Sequence, residues 1–305
     1  IPDGFLNLVI SLIFWAATII MVGLAISKTN KTLGEKQIPL MGVMAAFIFA
    51  AQMLNFPVAG GTSGHFLGGA LAAIVLGPWA GILVMTAVIA VQGLLFQDGG
   101  LLVMGANIFN MGILTAVIGF GLYRMVGGAK KGLRLTIAGA AAWLATMAAA
   151  LLTALQLWLS GTSRLEIVLP AMLGVHILIG VGEALITVAA LAFIERTRPD
   201  LLNAEKTAAS GGRGWIMAGI LVTFLAVMIS PLASGSPDGL ERVAENLGFL
   251  ADGKAASYQI LPDYTIPFLG ETALSTIFAG VIGALILMGL LVLLGRSLRR
   301  AGSRE

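Results

Sequence analysis

Long runs of apolar residues, separated by short polar or glycine-rich loops, dominate the hydrophobic pattern of the chain. The runs lie at 6–26, 38–54, 66–76, 80–96, 101–126, 135–159, 167–194, 215–231 and 273–294. Most are about as long as the roughly 20 residues that an α-helix needs to cross a bilayer, and they are too long for the alternating strands of a membrane barrel. Backbone polar groups inside a bilayer must be paired within such a segment. The pattern therefore predicts an all-α, polytopic membrane helix bundle.

The composition fits a membrane protein and excludes several kinds of function. Charged residues make up 11% of the chain, against about 25% in a soluble domain, so the chain cannot cover itself with a water-compatible surface. The sequence has no cysteine, which excludes disulfides, thiolate-bound zinc and iron–sulfur clusters. It has no Gly-x-x-x-x-Gly-Lys-Ser/Thr run either, so we expect no ATP hydrolysis by that route. We expect neither an enzyme nor a bound cofactor.

The lysine and arginine residues predict how the bundle is oriented. They cluster at 28–36, 130–134, 196–213 and 296–304. Because basic residues gather in cytoplasmic loops, we expect these regions and the C-terminus on the cytoplasmic side, and the N-terminus on the external side. The membrane is expected to be the cell inner (plasma) membrane. The net charge of only +3 indicates no nucleic-acid partner. The loop with His65, the turn at 97–100 and the stretch 232–271 then share the outer face, where Arg164 is the one basic exception near the first seven runs.

A polar linker predicts two domains. We expect a seven-span domain at 1–195, a cytoplasmic linker at 196–214 that contains Pro199, and a two-helix accessory domain at 215–305. The polar stretch 232–271 is then the external loop of the accessory hairpin.

One of the two histidines lies near the end of a glycine-rich, nearly uncharged loop. The loop runs from 55 to 69 and contains His65 near its end. Glycines allow such a loop to fold tightly over a small object, and a neutral imidazole is a common ligand of transition metals. The alternative is a flexible surface loop whose histidine happens to flank a helix.

The other histidine lies inside the seventh run. His176 precedes Glu183 by one heptad, so both residues fall on roughly the same helical face. Ionisable residues at that depth usually face the bundle interior and serve a function. The pair is therefore a candidate proton or cation site, and the alternative is a polar contact that joins helices.

The second run carries a small residue at every fourth position. Gly42, Ala46 and Ala50 form a groove that another helix can approach closely. We expect this groove to dock a partner membrane protein.

Several separated motifs resemble a known family. They are Ile-Pro-Asp-Gly-Phe-Leu at 1–6, Asn-Phe-Pro-Val at 55–58, Gly-Thr-Ser-Gly-His at 61–65, Gln-Asp-Gly-Gly at 97–100, Gly-Ala-Asn-Ile-Phe-Asn-Met-Gly at 105–112 and Val-His-Ile-Leu-Ile-Gly-Val-Gly-Glu-Ala at 175–184. Over about residues 1–200 the chain resembles the cobalt/nickel substrate-specific component of energy-coupling-factor ABC transporters. Ser-Pro-Asp-Gly-Leu-Glu at 236–241 resembles the small accessory component of the same systems, here fused at the C-terminus.

The resemblance implies a metal site. In this family the protein begins Met-His-Ile-Pro-Asp-Gly, and a square plane is formed by the terminal amine, the amide nitrogen and imidazole of the second residue, and a loop histidine that corresponds to His65. The Met-His pair is absent from the printed sequence, so we expect this chain alone to bind metal weakly. A planar nitrogen set favours nickel(II), accepts cobalt(II) and disfavours zinc. The residues expected to orient the ligands are Asp3, Gln97, Asp98 and Asn107.

The resemblance also implies partners and a function. The partners are a transmembrane coupling protein and two cytoplasmic ATPases, and the function is capture of nickel(II) or cobalt(II) as the transported substrate. One alternative is an ion-coupled secondary transporter that uses His176 and Glu183. Another is a purely structural or assembly subunit.

Overall fold

The computed structural model of the chain describes residues 1–35, 37–126, 128–198, 202 and 214–302. The helices of the first two-thirds are α1 Leu8–Thr32, α2 Gln37–Gln52, α3 Gly69–Leu76, α4 Pro78–Val91, α5 Met104–Asn107, α6 Thr115–Arg124, α7 Lys131–Leu159 and α8 Leu165–Thr197. A π-helical turn, Gln92–Phe96, extends α4, and a second π-helical stretch, Ile108–Leu114, joins α5 to α6. The remaining helices are α9 Gly214–Ile229, α10 Gly239–Leu247 and α11 Ala273–Gly302.

The prediction of an all-α, polytopic membrane bundle is confirmed. Seven helical segments of the described chain are long and apolar enough to cross a membrane. They are Leu8–Thr32, Pro78–Phe96, Met104–Arg124, Lys131–Leu159, Leu165–Thr197, Gly214–Leu232 and Ala273–Ala301. The only strands in the described residues are β1 Phe56–Val58 and β2 Thr62–Gly64, which pair antiparallel just before His65.

Two of the nine predicted spans are not among the helical segments long enough to cross a membrane. Helix α2 has 16 residues and α3 has eight, or about 24 and 12 Å at 1.5 Å per residue. Gly68 and Gly77, both with φ near +83°, bound α3, and Pro78 starts the next helix. All eight residues of α3 are buried. This helix therefore enters the bundle part-way among other helices, and the prediction that it spans the bilayer is wrong.

The small-residue groove on α2 is occupied by the chain's own C-terminal helix. Ala46 and Ala50 have no exposed surface, and α11 and α9 both pack along α2. A Cβ at Gly42 would lie 3.0 Å from the carbonyl oxygen of Met288 in α11, so a larger residue here would require α11 to shift outward by a few tenths of an ångström. The groove does bring a helix close, but the helix comes from within the chain. A separate partner could reach this face only by displacing α11, and the prediction of a docking face here is corrected accordingly.

The stretch 232–271 is folded rather than an open loop. It contains α10 and the 3₁₀ turns Leu250–Asp252 and Pro262–Tyr264, and it lies over the end of the bundle that carries the N-terminus and His65. A β-bridge joins Asp3 to Lys254, whose N–H donates to the Asp3 carbonyl at 2.7 Å. Most of the predicted linker 196–214 lies outside the described residues, and the domain boundaries remain predictions.

Candidate metal centre

The first residues of the chain are clamped to α5 and to the loop that precedes it. The amino group of Ile1 donates to Oδ1 of Asn107 at 2.9 Å, and Nδ2 of Asn107 donates to the carbonyl of Ile1 at 3.0 Å. The N–H of Gly100 donates to the same carbonyl, also at 3.0 Å. Burial lowers the pKa of this amino group, although the charges of Asp238 and Asp98 oppose the shift. The clamp therefore fixes the first residue beside the turn at 97–100.

Asp3 fixes the other side of this clamp. Its carboxylate accepts hydrogen bonds from the N–H groups of three successive residues: Leu101 at 3.0 Å, Leu102 at 2.9 Å and Val103 at 3.2 Å. A Cβ at Gly100 would lie 2.1 Å from the Asp3 carboxylate, so no larger residue fits there. Asp3 and Asn107 thus position the N-terminal segment, which agrees with the orienting role expected from the sequence without testing it.

His65 follows the β1–β2 hairpin and is half-buried, with Nδ1 3.2 Å from the carbonyl of Phe66. The segment after it is held from inside the bundle. Both carboxylate oxygens of Glu183 accept backbone hydrogen bonds, from Leu67 at 2.6 Å and Gly68 at 2.9 Å. These N–H groups lie at the N-terminus of α3, where the helix dipole also favours a negative charge.

Glu183 is therefore committed to supporting the loop rather than to pairing with His176. The two residues are seven positions apart on α8, about 10.5 Å along the axis. The ring of His176 bonds elsewhere, with Nδ1 2.7 Å from the carbonyl of Met172 one turn earlier. The structure thus gives the two members of the predicted pair different tasks: Glu183 holds the loop and His176 lines a cavity beside His65.

Two cavities meet at the N-terminus and His65. The smaller, of about 90 Å³, extends between the helices to His176, and the larger, of about 410 Å³, extends toward Asp98. The residues that line both cavities are Ile1, His65, Asn107, Met111, Asp238 and Leu240. Within the described residues no group of three or more histidine or acidic side chains is close enough to hold a metal ion.

Gln97 and Asp98 form hydrogen bonds with residues of the stretch 232–271, called here the accessory stretch or cover. Oδ2 of Asp98 accepts a hydrogen bond of 2.5 Å from the hydroxyl of Tyr264. Oε1 of Gln97 accepts one of 3.3 Å from the N–H of Ile260. Both residues were expected to orient the metal ligands, and that role stays a prediction. In the structure they hydrogen-bond to the stretch 232–271, and Nε2 of Gln97 also donates to the carbonyl of Leu94 at 3.2 Å.

The contribution of the accessory segment 236–241 was missed by sequence reasoning. The N–H of Ser63 donates to the carbonyl of Pro237 at 2.8 Å, and its hydroxyl donates to the carbonyl of Ser236 at 2.8 Å. Asp238 then caps α10 in a reciprocal capping box with Glu241. The Asp-x-x-Glu spacing was visible in the sequence and predicts a helix start. What it could not predict is that this helix start lies against the β2 strand beside His65.

Comparison with known proteins places the chain in a family. The profile described as "Cobalt uptake substrate-specific transmembrane region" matches residues 1–201, and the profile described as "PDGLE domain" matches residues 213–300. The chain is similar to a putative fused nickel transport protein NikMN of Archaeoglobus fulgidus, with 37% identity over 99% of both chains. It is also similar to the fused nickel transport protein NikMN of Rhodobacter capsulatus, with 30% identity over 99% of both chains.

A crystal structure supports the same assignment. A truncated transition metal transporter is 33% identical to the chain and superposes with a TM-score of 0.59, covering 64% of this chain and 98% of the other. The family match, the full-length relatives and the membrane-spanning bundle agree with one another. The chain is a multi-pass membrane protein that belongs to the nickel/cobalt transport family, with a cobalt uptake substrate-specific region followed by a C-terminal PDGLE domain.

Proposed function

We propose that the chain is the substrate-capturing component of an ATP-driven nickel or cobalt importer. It binds the divalent ion at the external face and works with a transmembrane coupling protein and two separate cytoplasmic ATPases. The observation that carries the proposal is the convergence of Ile1 and His65 on the same pair of cavities. Support for nickel and cobalt as substrates comes from the names of the relatives, which are nickel or cobalt transport proteins.

The proposed ligands are His65 and nitrogen atoms of residues that precede Ile1 in the family pattern. Ile1 lines both cavities, so a Met-His pair attached to its nitrogen would extend the chain beside His65. An amine, an amide nitrogen and two imidazoles in one plane suit nickel(II) best and also accept cobalt(II). His176 lines the inner end of the same space.

The charges at the two ends of the bundle support an external site. Within the described residues, the end of the bundle opposite His65 carries Lys131, which lies 3.4 Å from Glu195, and Arg299, which pairs with Glu35. Basic residues favour the cytoplasmic side. These charges support an orientation with the N-terminus, His65 and the accessory stretch outside and the C-terminus inside the cell.

Metal stoichiometry tests the capture site. Two purified forms, one beginning Met-His-Ile-Pro and one beginning Ile-Pro as printed, are exposed to equal nickel(II) and cobalt(II) and analysed by mass spectrometry. We expect about one metal ion per protein in the longer form only, and its loss in the His65→Ala variant. Absence of metal from both forms would contradict the proposal.

Replacement of Glu183 by glutamine separates capture from ion-coupled transport. A glutamine keeps one oxygen acceptor for the loop but turns an N–H donor toward the second backbone N–H. We therefore expect weakened but measurable nickel binding, whereas a proton-coupled transporter would lose transport altogether. Transport that persists in an ATPase-inactive partner complex would contradict the proposed ATP-driven mechanism.

A further inference from the structure

The most exposed large apolar side chain of the described residues lies in a short turn of the accessory stretch. Phe268 is 86% exposed and belongs to the turn 266–270, which is closed by an antiparallel bridge between Ile266 and Gly270. The N–H of Leu269 donates to the carbonyl of Ile266 at 2.9 Å. Ile266 is only 7% exposed and packs in the hydrophobic core of the bundle. The turn therefore holds Ile266 inside the protein and leaves the ring of Phe268 outside it.

Two hydrogen bonds fix this turn beside the first turn of α11. The N–H of Ile266 donates to Oγ of Ser275 at 2.6 Å, and the Ser275 hydroxyl donates to the carbonyl of Ile266 at 3.4 Å. Ser275 has no exposed surface and belongs to the membrane-spanning segment Ala273–Ala301. Phe268 follows Ile266 by two residues, so their Cα atoms lie within about 7 Å of each other. The exposed ring is therefore close to the level at which α11 enters the membrane.

The dimensions of α11 put this level at the boundary of the bilayer. Its 30 residues extend about 45 Å at 1.5 Å per residue, which matches the roughly 40–45 Å of a bilayer with its headgroup regions. One face of α11 is exposed from its first turn onward: Leu274 is 62%, Phe278 51% and Leu285 62% exposed. Spacings of four and seven residues put these side chains on one helical face, as expected for contact with lipid.

A second exposed apolar side chain lies at the same end of the accessory helices. Leu232 is 84% exposed and ends the membrane-spanning segment Gly214–Leu232, whose final 3₁₀ turn packs against α11. The sequence has no lysine or arginine between 255 and 295. Anionic headgroups are recognised by basic residues, so this surface suits the uncharged acyl part of the lipid interface instead.

We propose that the turn 266–270 is a membrane anchor of the accessory stretch, with Phe268 and Leu232 inserted among the acyl chains just below the lipid headgroups. Phenylalanine and leucine are among the side chains that interfacial segments bury about 5–10 Å into the headgroup/acyl boundary. The bilayer then holds one side of the segment whose Tyr264 bonds to Asp98. The inference does not depend on metal capture, so each can be tested without the other.

A depth measurement with a single spin label tests the anchor. Because the sequence has no cysteine, Phe268→Cys carries one nitroxide on the full-length protein in phosphatidylcholine nanodiscs. Collision with oxygen and exclusion of chromium oxalate should place this label about 5–10 Å below the headgroups. Phe278→Cys in α11 is the membrane control, and Asn246→Cys on the exposed side of α10 is the water control. Access to chromium oxalate equal to that at 246, or protection from both reagents by protein, would overturn the proposal.

Replacement of the ring tests whether the anchor holds the accessory stretch. In the same nanodiscs, Phe268→Ser should speed amide hydrogen exchange at 258–266 about 10-fold, because it removes an apolar side chain from lipid. Phe268→Leu keeps most of the apolar area and should change exchange by less than about twofold. Equal exchange rates in the two variants would overturn the anchor.

Lipid charge provides the last control. Phosphatidylglycerol added to the nanodiscs should leave the depth of the label at 268 unchanged, because the turn has no basic residue nearby in sequence. A label that inserts only when the anionic lipid is present would overturn an anchor built on apolar contact.

Discussion

The loop with His65 is supported from two sides by contacts of different kinds. On the inner side the support is a carboxylate and an amide inside the bundle: Glu183 is 2% exposed, and Gln52, which donates to the carbonyl of Leu67, is 6% exposed. On the outer side the accessory stretch is held by bonds near the surface, such as those of Arg242 to Gly61 and of Tyr264 to Asp98. Buried charged acceptors are costly to leave unpaired, whereas exposed pairs exchange readily with water. The inner carboxylate therefore fixes the loop more firmly than these surface bonds do.

The largest effect is expected from removing the inner carboxylate. Glu183→Ala leaves the N–H groups of Leu67 and Gly68 buried without an acceptor, at about 1–3 kcal/mol each. We expect a loss of about 2–5 kcal/mol in the free energy of unfolding, measured in detergent, together with loss of metal capture. The matched control is Glu166→Ala, whose carboxylate is exposed and should change stability by less than about 0.5 kcal/mol. Equal stability of the two variants would contradict the inner support.

A smaller effect is expected at the N-terminal clamp. Asn107→Leu removes both hydrogen bonds to Ile1 while keeping a side chain of similar size. We expect nickel affinity to fall by roughly 10- to 100-fold, as for other residues that orient metal ligands. A competition titration with a metal-binding dye measures this in the form beginning Met-His-Ile-Pro. Asn107→Asp, which keeps the acceptor and loses the donor, should give an intermediate affinity, and an unchanged affinity in both variants would exclude the clamp from the site.

The cover itself should respond to loss of the tyrosine hydroxyl. Tyr264→Phe removes the bonds to Asp98 and Gln92 but keeps the ring, which stacks on Phe96 with centroids 4.8 Å apart. We expect a cost of about 1 kcal/mol. Amide hydrogen exchange at 258–266 should therefore speed up about fivefold, while exchange in α3 stays unchanged. Faster exchange in α3 as well would show that the cover and the core do not open separately.

The smallest effect is expected from the partly exposed arginine of α10, Arg242. Arg242→Ala removes an ion pair of 2.9 Å with Glu245 and the bond to the carbonyl of Gly61. Exposed pairs of this kind are worth about 0–1 kcal/mol. Thermal unfolding should therefore change little, and the cover should remain docked through Pro237 and Ser63. A loss above about 2 kcal/mol would mean that the outer support is as strong as the inner one.

The sequence predicted the class of the fold because membrane helices leave a strong pattern. Runs of apolar residues near 20 in length have few alternatives in a bilayer, and so the bundle could be predicted well. The failure at α3 has a local cause: Gly68 and Gly77 end the helix after eight residues, and hydropathy cannot tell burial in protein from burial in lipid. The small residues around Gly42 predicted the close approach of another helix, but their spacing alone does not say which helix packs there.

The sequence predicts those residues of the candidate site that their neighbours along the chain make recognisable, and it does not predict the residues that tertiary contacts bring to the site. His65 and Asp3 stand out through their neighbours, and Asn107 through its depth in an apolar run. The separation of Glu183 from His176 could not be predicted, since a shared helical face does not say what each residue meets across the interface. Asp238 and Asp263 line the larger cavity because the accessory stretch folds back onto the bundle. It contacts Ser63 and Asp98 there, which lie about 170 residues earlier in the sequence.

The β-bridge between Asp3 and Lys254 has a thermodynamic consequence. It joins the first residues of the chain to the accessory stretch through a main-chain hydrogen bond of 2.7 Å, so the position of one affects the energy of the other. Coupling of this kind is reciprocal: if a bound ion favours the ordered N-terminal segment, it must tighten docking of the accessory stretch by the same factor. Every mutation that loosens the accessory stretch then lowers ion affinity by a linked amount, even when it lies far from any ligand.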